Sequence, residues 1–490
     1  SWVMPLKTDY GRIYAFYVYN KENIRSVKSD FGPISRVDTL GSYMYKYSDD
    51  NGESWSEEHY EIPVRKMKID LDNPYGGDVL FFWGIGKPIV HQSDAYLGFA
   101  KVGRFGEGFM ACSEGCFLKS DNIMEEKDPK AINWETLPEG EVGITAPEGP
   151  VADEHNLVGL NDGSLYCTYR TIEGHPGHGY SRDSGYNWTE PEYARYSPEG
   201  RKIKHPRAAC IVKKFDNDKY TLWFHNNGTP WYQNDGYEGN RNVVWLAGGV
   251  EKDGHIHWSE PEIMLYDPDR FKGISYPDFV EEEGGFYVSA TNKTEPRIVE
   301  IDKKLLDLVW GQDELDEVAK DGLISEISGN EVQKESLEMP ELPSIKNGGG
   351  FTIDFWVNFN DLAAGQVILD SRIDGGQGIL LRTNDRGTIE RKINDGWSAA
   401  TWDTDPGVLQ TGKDHHIAAI IDGGPKVISF VIDGILCDGG EERPFGWGRI
   451  PELLGEPNGD DRAKLSPNLN GELKLLRIYD RYLFTSEAIG

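Results

Sequence analysis

The chain has 490 residues, and its 82 Asp+Glu against 51 Lys+Arg leave a net charge of −31. Such a field repels phosphate backbones and anionic membrane surfaces, and no Lys/Arg cluster offsets it, so nucleic acid is excluded as an expected partner. With 38% hydrophobic and 12% aromatic residues there is enough apolar surface for two domains or one large repetitive one.

The chain opens on an apolar strand, "SWVMPL", without a signal-peptide pattern, so any export signal was removed before the numbered residues or never existed; the expected location is secreted or periplasmic. No run reaches the about 18 apolar residues of a spanning helix. From Trp2 to about Asp316, short runs rich in Tyr, Phe, Val and Trp alternate with Gly/Asp/Asn turns, as in "GRIYAFYVY", "AYLGFAKV", "GSLYCTYRT" and "KYTLWFHNN". These runs predict strands. Within them Ser-x-Asp-x-Gly-x-x-Trp occurs twice, as Ser48, Asp50, Gly52, Trp55 and as Ser181, Asp183, Gly185, Trp188. Asp can bond nearby amides and Gly can take positive φ, so each copy predicts a tight turn with Trp folded beneath it. A degenerate third copy is Asp253, Gly254, Trp258. The cysteines, Cys112, Cys116, Cys167, Cys210 and Cys437, form neither a disulfide framework nor a zinc pattern; Cys112 and Cys116 allow one optional disulfide. Helical periodicity is confined to the stretch around Asp302 to Gly322, read as a closing segment and charged linker. Repeated β-units of about 40 to 50 residues suggest blades around an axis.

The repeated motif resembles the Asp box of sialidase-type propellers. After the linker, "GGGFTIDFWVNF", "DHHIAAIIDGGPKVISFVIDGILCDGG" and "LNGELKLLRIYDRYL" resemble a laminin-G or concanavalin-like jelly roll. The expected fold is therefore all-β: a six-bladed sialidase-type β-propeller over 1–318, a linker over 319–341 and a concanavalin-like β-sandwich over 342–490. The sandwich is read equally as a structural appendage and as a glycan-binding module. No cofactor is required, although the acidic loop around Asp460 and Asp461 offers oxygen ligands for a structural calcium.

The resemblance also implies a site. A sialidase carries a catalytic Asp about ten residues before its first Asp box, and Asp38 lies there, implying an acid/base role. "EHNLVGLNDGSLYCTYRT" follows the family's next signature, which makes Glu154 the base and Arg170 a carboxylate clamp; Arg241 would be a second clamp. Tyr276 stands in the place of the family's nucleophile, with Pro277 where Ser would follow. A phenol relieved of its proton by Glu suits an anionic sugar that would repel an attacking carboxylate. The family's opening Arg-Ile-Pro is missing, which leaves His155, Arg36 and Arg182 open to replace its arginine. His155, His205 and Arg207 are further substrate-binding candidates, and His91, His175, His178 and His225 belong to the same predicted end. The implied function is an exo-acting glycoside hydrolase releasing a terminal, acidic sugar. Alternatives are a polysaccharide lyase using His and Tyr276 on uronic acids, several His holding a metal, or a non-catalytic glycan-binding protein.

Overall fold

The computed structural model describes residues 1–107, 109–233, 241–292, 294–332 and 336–489. Up to Glu300 the strands form five antiparallel sheets among the described residues, where six were expected. The first holds Met4–Lys7, Ile13–Tyr19, Ser42–Ser48 and Tyr60–Glu61 in chain order. In the second, Phe82–Trp83 and Pro88–His91 share one edge of Asp94–Phe105, followed by Met110–Ser120 and Glu135–Leu137. The third runs Asp153–Gly159, Leu165–Arg170, Gly177–Ser181 and Glu192–Tyr193. The fourth contains Ile211–Lys214, Tyr220–Phe224, Val244–Lys252 and His255–Trp258, with Glu262–Leu265 also paired to Val244–Lys252. The fifth has three strands, Ser275–Glu282, Gly285–Thr291 and Pro296–Glu300.

Leu6, Val90, Val158, Val212 and Phe279, one from each sheet, line a common cavity of 630 Å³. Lys87 bridges the second and fifth sheets there, donating to the Pro277 carbonyl at 2.8 Å. Leu165–Arg170 is buried at every position, Thr168 and Arg170 included, so this strand shows no alternation of buried and exposed residues.

The repeated motif folds alike in both places. Ser48 Oγ accepts the Gly52 amide at 2.8 Å, and Asp50 Oδ1 accepts Ser48 Oγ at 2.7 Å and the Ser54 amide at 2.9 Å. Ser181 and Asp183 repeat this with Gly185 and Asn187 at 2.8 and 2.9 Å. Gly52 and Gly185 have φ of +90° and +91°, where a Cβ would be strained. Trp188 folds back onto the Gly185 carbonyl and Phe117, whereas Trp55 is more open, at 40% exposure. The third copy is a different turn: Asp253 and Gly254 both have positive φ and close a two-residue hairpin.

The helix Lys303–Trp310 is capped by the Asp302 side chain, which accepts the Lys304 amide, and it buries Leu305, Leu306, Val309 and Trp310. It closes the core of the fourth and fifth sheets. The stretch expected as a linker is not one: Leu323–Ser328 pairs with Gly471–Tyr479 and Ser336–Glu338 with Arg462–Leu465, adding an edge strand to each sheet of the C-terminal sandwich. Exposed edges take charged side chains on alternate positions, which explains the linker-like composition.

In the sandwich, the period of two divides each strand between two cores. Ile417, Ala419 and Ile421 face the sandwich interior with Phe351, Ile353 and Phe355. Ala418 and Ile420 face outward, into a second core shared with Tyr220, Leu222, Phe224 and Trp245 of the fourth sheet. The sandwich is thus packed onto the sheets, and Trp447 donates its indole N–H to the Asn226 carbonyl at 2.9 Å. All five cysteines are free, so the optional disulfide is not formed. Asp460 turns its carboxylate to the Arg462 amide, and no group of three or more His, Cys, Asp or Glu is placed to hold a metal among the described residues. No described helix is long and apolar enough to cross a membrane.

Candidate active site

Two backbone irregularities build the site. In the third sheet Asp153 pairs with Arg170 and Asn156 with Thr168, so one extra residue is accommodated between them. In the fifth, Ser275 pairs with Thr291 and Asp278 with Ser289, the same one-residue bulge. Glu154 and Tyr276 occupy these bulges with φ of +55° and +54°, a left-handed conformation that costs a non-glycine residue about 1–3 kcal/mol. Bulges re-aim side chains. Here both are turned to one point: the Tyr276 hydroxyl donates to Glu154 Oε1 at 3.0 Å.

Glu154 Oε1 also accepts the Trp83 indole N–H at 3.1 Å and lies 2.5 Å from Arg170 Nη1. Its Oε2 is buried with no hydrogen-bond partner among the described residues. Burial raises the Glu154 carboxyl above the ordinary carboxylate range, against the pull of Arg170. Burial, reinforced by the charge of Glu154, pushes the Tyr276 phenol up to about 12. The phenol is therefore neutral at rest, with its proton aimed at a base.

The arginines divide into two kinds. Arg170 is fully committed inside the protein: Nε and Nη2 grip Asp153 at 2.6 and 2.9 Å while Nη1 meets Glu154. The expectation that Arg170 clamps substrate is corrected on this point, because no edge of its fork is left for a second carboxylate. Arg207 is different: Nη2 donates to the Met110 carbonyl at 2.9 Å, but Nε has no partner among the described residues. Its guanidinium lies 4.2 Å from the Phe109 ring centroid and 4.9 Å from that of Trp231. Burial, with Arg170 nearby, lowers it to about 10. Arg241 donates to Ser275 Oγ at 3.3 Å and to the Arg207 carbonyl, beside Tyr276.

Arg36 completes the group, stacked over Trp83 at 4.9 Å and Phe109 at 5.5 Å. It lies 3.1 Å from Asp38, which sits in the short turn Val37–Thr39 and is partly open to solvent. Four guanidiniums, Arg36, Arg170, Arg207 and Arg241, thus face three carboxylates, Asp38, Asp153 and Glu154. In a chain of net charge −31, this is a local excess of positive charge in a partly desolvated place.

The histidines do not join it. His155 follows Glu154 but points the other way, stacked 4.7 Å from Tyr169 with both ring nitrogens unpartnered, and burial lowers it to about 3. His205 has its nitrogens against the Ala208 carbonyl and the His225 amide, which fixes it as a structural residue. Substrate contact by His155 and His205 is withdrawn accordingly. His91 bonds to the Gly163 carbonyl, His175 to the Ile203 carbonyl, His178 to the Tyr166 hydroxyl and His225 to the Val243 carbonyl. Arg182 lies on an outer edge with Asp162 and the Gly254 carbonyl, whereas Arg36 is beside Trp83 and Phe109. Phe109, Trp83, Trp231 and Asp153 were not anticipated; the only hint was "GEGFMAC", an aromatic in a glycine-rich turn.

Residues 332–489 match the family model described as the concanavalin A-like lectin/glucanases superfamily. No curated protein matches the chain. Among solved structures, a Trypanosoma rangeli sialidase in complex with 2,3-difluorosialic acid is 13% identical, with a TM-score of 0.34, covering 100% of this chain and 92% of that one. The intramolecular trans-sialidase of Ruminococcus gnavus is 13% identical with a TM-score of 0.38, covering 62% of this chain and 78% of that one. The leech intramolecular trans-sialidase is 13% identical with a TM-score of 0.40, covering 63% of this chain and 56% of that one. These three structural neighbours are sialidases and trans-sialidases; at these identities and TM-scores the chemistry rests on the residues themselves.

Proposed function

We propose that the chain is an exo-acting glycoside hydrolase that releases a terminal, acidic sugar from a polysaccharide or glycoconjugate, with the five sheets as blades of a sialidase-type propeller. The observation that carries this reading is the Tyr276 hydroxyl donating to Glu154 Oε1 at 3.0 Å in a centre with more guanidiniums than carboxylates. Arg207, Arg241 and Arg36 attract and orient the sugar carboxylate, and Phe109, Trp83 and Trp231 give the ring an apolar wall. Tyr276 Oη attacks the anomeric carbon as Glu154 takes its proton, and Asp38 protonates the departing glycosidic oxygen. Asp38 then deprotonates a water that displaces Tyr276 Oη, which recovers its proton from Glu154. Arg170 and Asp153 hold Glu154 in place. Such a substrate is met outside the cytoplasm, so we also propose a secreted or periplasmic place of action.

The test is kinetic. Tyr276→Phe and Glu154→Gln should each lower kcat by about 10³-fold while circular dichroism and melting remain close to the parent. Full activity in both variants would remove these residues from the mechanism.

A further inference from the structure

A cleft of 670 Å³ separates the third and fourth sheets from the sandwich. That is the volume of an ordinary ligand site. Glu173, His175 and Lys204 form part of one wall; Val408, Ile435 and Arg443 form part of the other.

The cleft connects to the catalytic centre through one short strap. Gly228 and Pro230 line the cleft, and the Gly228 amide is tied across it to the sandwich at the Pro444 carbonyl, 2.6 Å away. The next residue, Trp231, is tied to the Ile172 carbonyl at 2.9 Å and lays its ring over Arg207. Trp231 is 44% exposed, so its indole is shared between the centre and the solvent path beside the strap.

The chemistry of the cleft is unlike that of the centre. Lys204 Nζ is held by the Gly440 and Arg443 carbonyls at 2.6 and 2.7 Å. Arg201 is held by Asp438 at 2.7 Å and by Glu260, and Arg443 by Asp403 and Asp405 at 2.7 and 2.9 Å. Arg201 and Arg443 are thus paired with carboxylates, Lys204 is held by carbonyls with Asp438 3.7 Å away, and an incoming anion would also face Glu173, Asp433 and Glu441. What the walls offer is carbonyl and carboxylate acceptors for hydroxyls, with Val408 and Ile435, 39% and 52% exposed, as apolar surface for the C–H faces of pyranose rings.

We propose that this cleft binds the neutral oligosaccharide that carries the terminal acidic sugar, so that the sandwich forms half of a substrate subsite. The proposal rests on the hydrolase reading above, but its test does not. The full chain with Tyr276→Phe is applied to a printed array of neutral and acidic oligosaccharides, and the neutral ligands it retains are titrated by calorimetry. Adding Val408→Trp or Ile435→Trp, both partly exposed positions where an indole fills the cleft without entering a core, should weaken neutral-oligosaccharide binding at least tenfold. Trp397→Ala, at an exposed sandwich hairpin that does not line the cleft, should leave it unchanged.

No neutral ligand on the array, binding indifferent to both cleft variants, or binding lost with Trp397→Ala would each overturn the proposal. Cleft-dependent binding supports it even if the parent protein releases no sugar from any glycan; in that case the hydrolase reading fails and the subsite stands.

Discussion

Arg170 and Arg207 stand around the same Phe109 ring but face different partners, one a pair of protein carboxylates, the other only a carbonyl. The difference predicts separate phenotypes. Arg207→Ala should lower kcat/KM for an acidic substrate by about 10- to 100-fold, mainly through KM, with partial recovery in Arg207→Lys. The methyl ester of the same substrate should be affected much less; an equal loss on ester and acid would rule out a carboxylate contact. Glu154, Tyr276 and Arg241 could be found in the sequence because each lies at a fixed place relative to strands and turns of a known pattern. Phe109, Trp83 and Trp231 could not, since they come from separate places in the chain and acquire meaning only where these meet; Arg36 stood only as one of three candidates for the missing arginine. His155 misled for a simpler reason: it adjoins Glu154 in a strand, where neighbours point to opposite sides.

Among the elements, the two Ser-x-Asp-x-Gly-x-x-Trp turns are scaffolding. Ser181 is fully buried and bonds both Gly185 and Asp183, so Ser181→Ala leaves the Gly185 amide without its acceptor and removes one of the bonds to Asp183, which keeps Asn187. The expected cost is about 1–2 kcal/mol in urea unfolding, with kcat unchanged under folding conditions. Loss of activity in a protein that remains as stable as the parent would instead tie the turn to the chemistry. The turns, the strands between them and the closing helix were legible because each depends on residues close in sequence. The two sandwich edge strands within 319–341 were not, because pairing with Gly471–Tyr479 and Arg462–Leu465 spans well over a hundred residues and leaves no local periodic mark beyond a short alternation.

At the scale of the whole molecule, the sheets and the sandwich share one apolar core, and a titratable group sits in the junction. Glu262 is buried and accepts the Thr485 and Ser486 amides and the Ser486 hydroxyl at 2.7 to 2.8 Å. Burial raises its carboxyl from 4.5 to about 7 despite those bonds. The folded state therefore holds this proton more tightly than the unfolded chain. The resulting stability is complete below about pH 4.5 and is lost as the pH rises through 7, amounting to about 3 kcal/mol. Asp422, partly buried at the junction and raised by burial to about 7, contributes in the same direction, so the comparison with Glu262→Gln isolates one group. Urea unfolding at pH 5 and pH 8 should show a smaller drop in the variant than in the parent. Identical drops would mean that Glu262 does not titrate in this range. None of this was readable from the sequence, where the run "DHHIAAIIDGG" shows only that a strand is apolar and not that its two faces serve different cores.

The most direct test of the Glu154–Tyr276 centre is mass spectrometry of the products released from a panel of sialylated glycans and uronic-acid polysaccharides by the parent protein and by Tyr276→Phe. The account predicts a free acidic sugar that has gained the mass of water, absent with Tyr276→Phe. An unsaturated product without that water, or the same release from Tyr276→Phe, would contradict it.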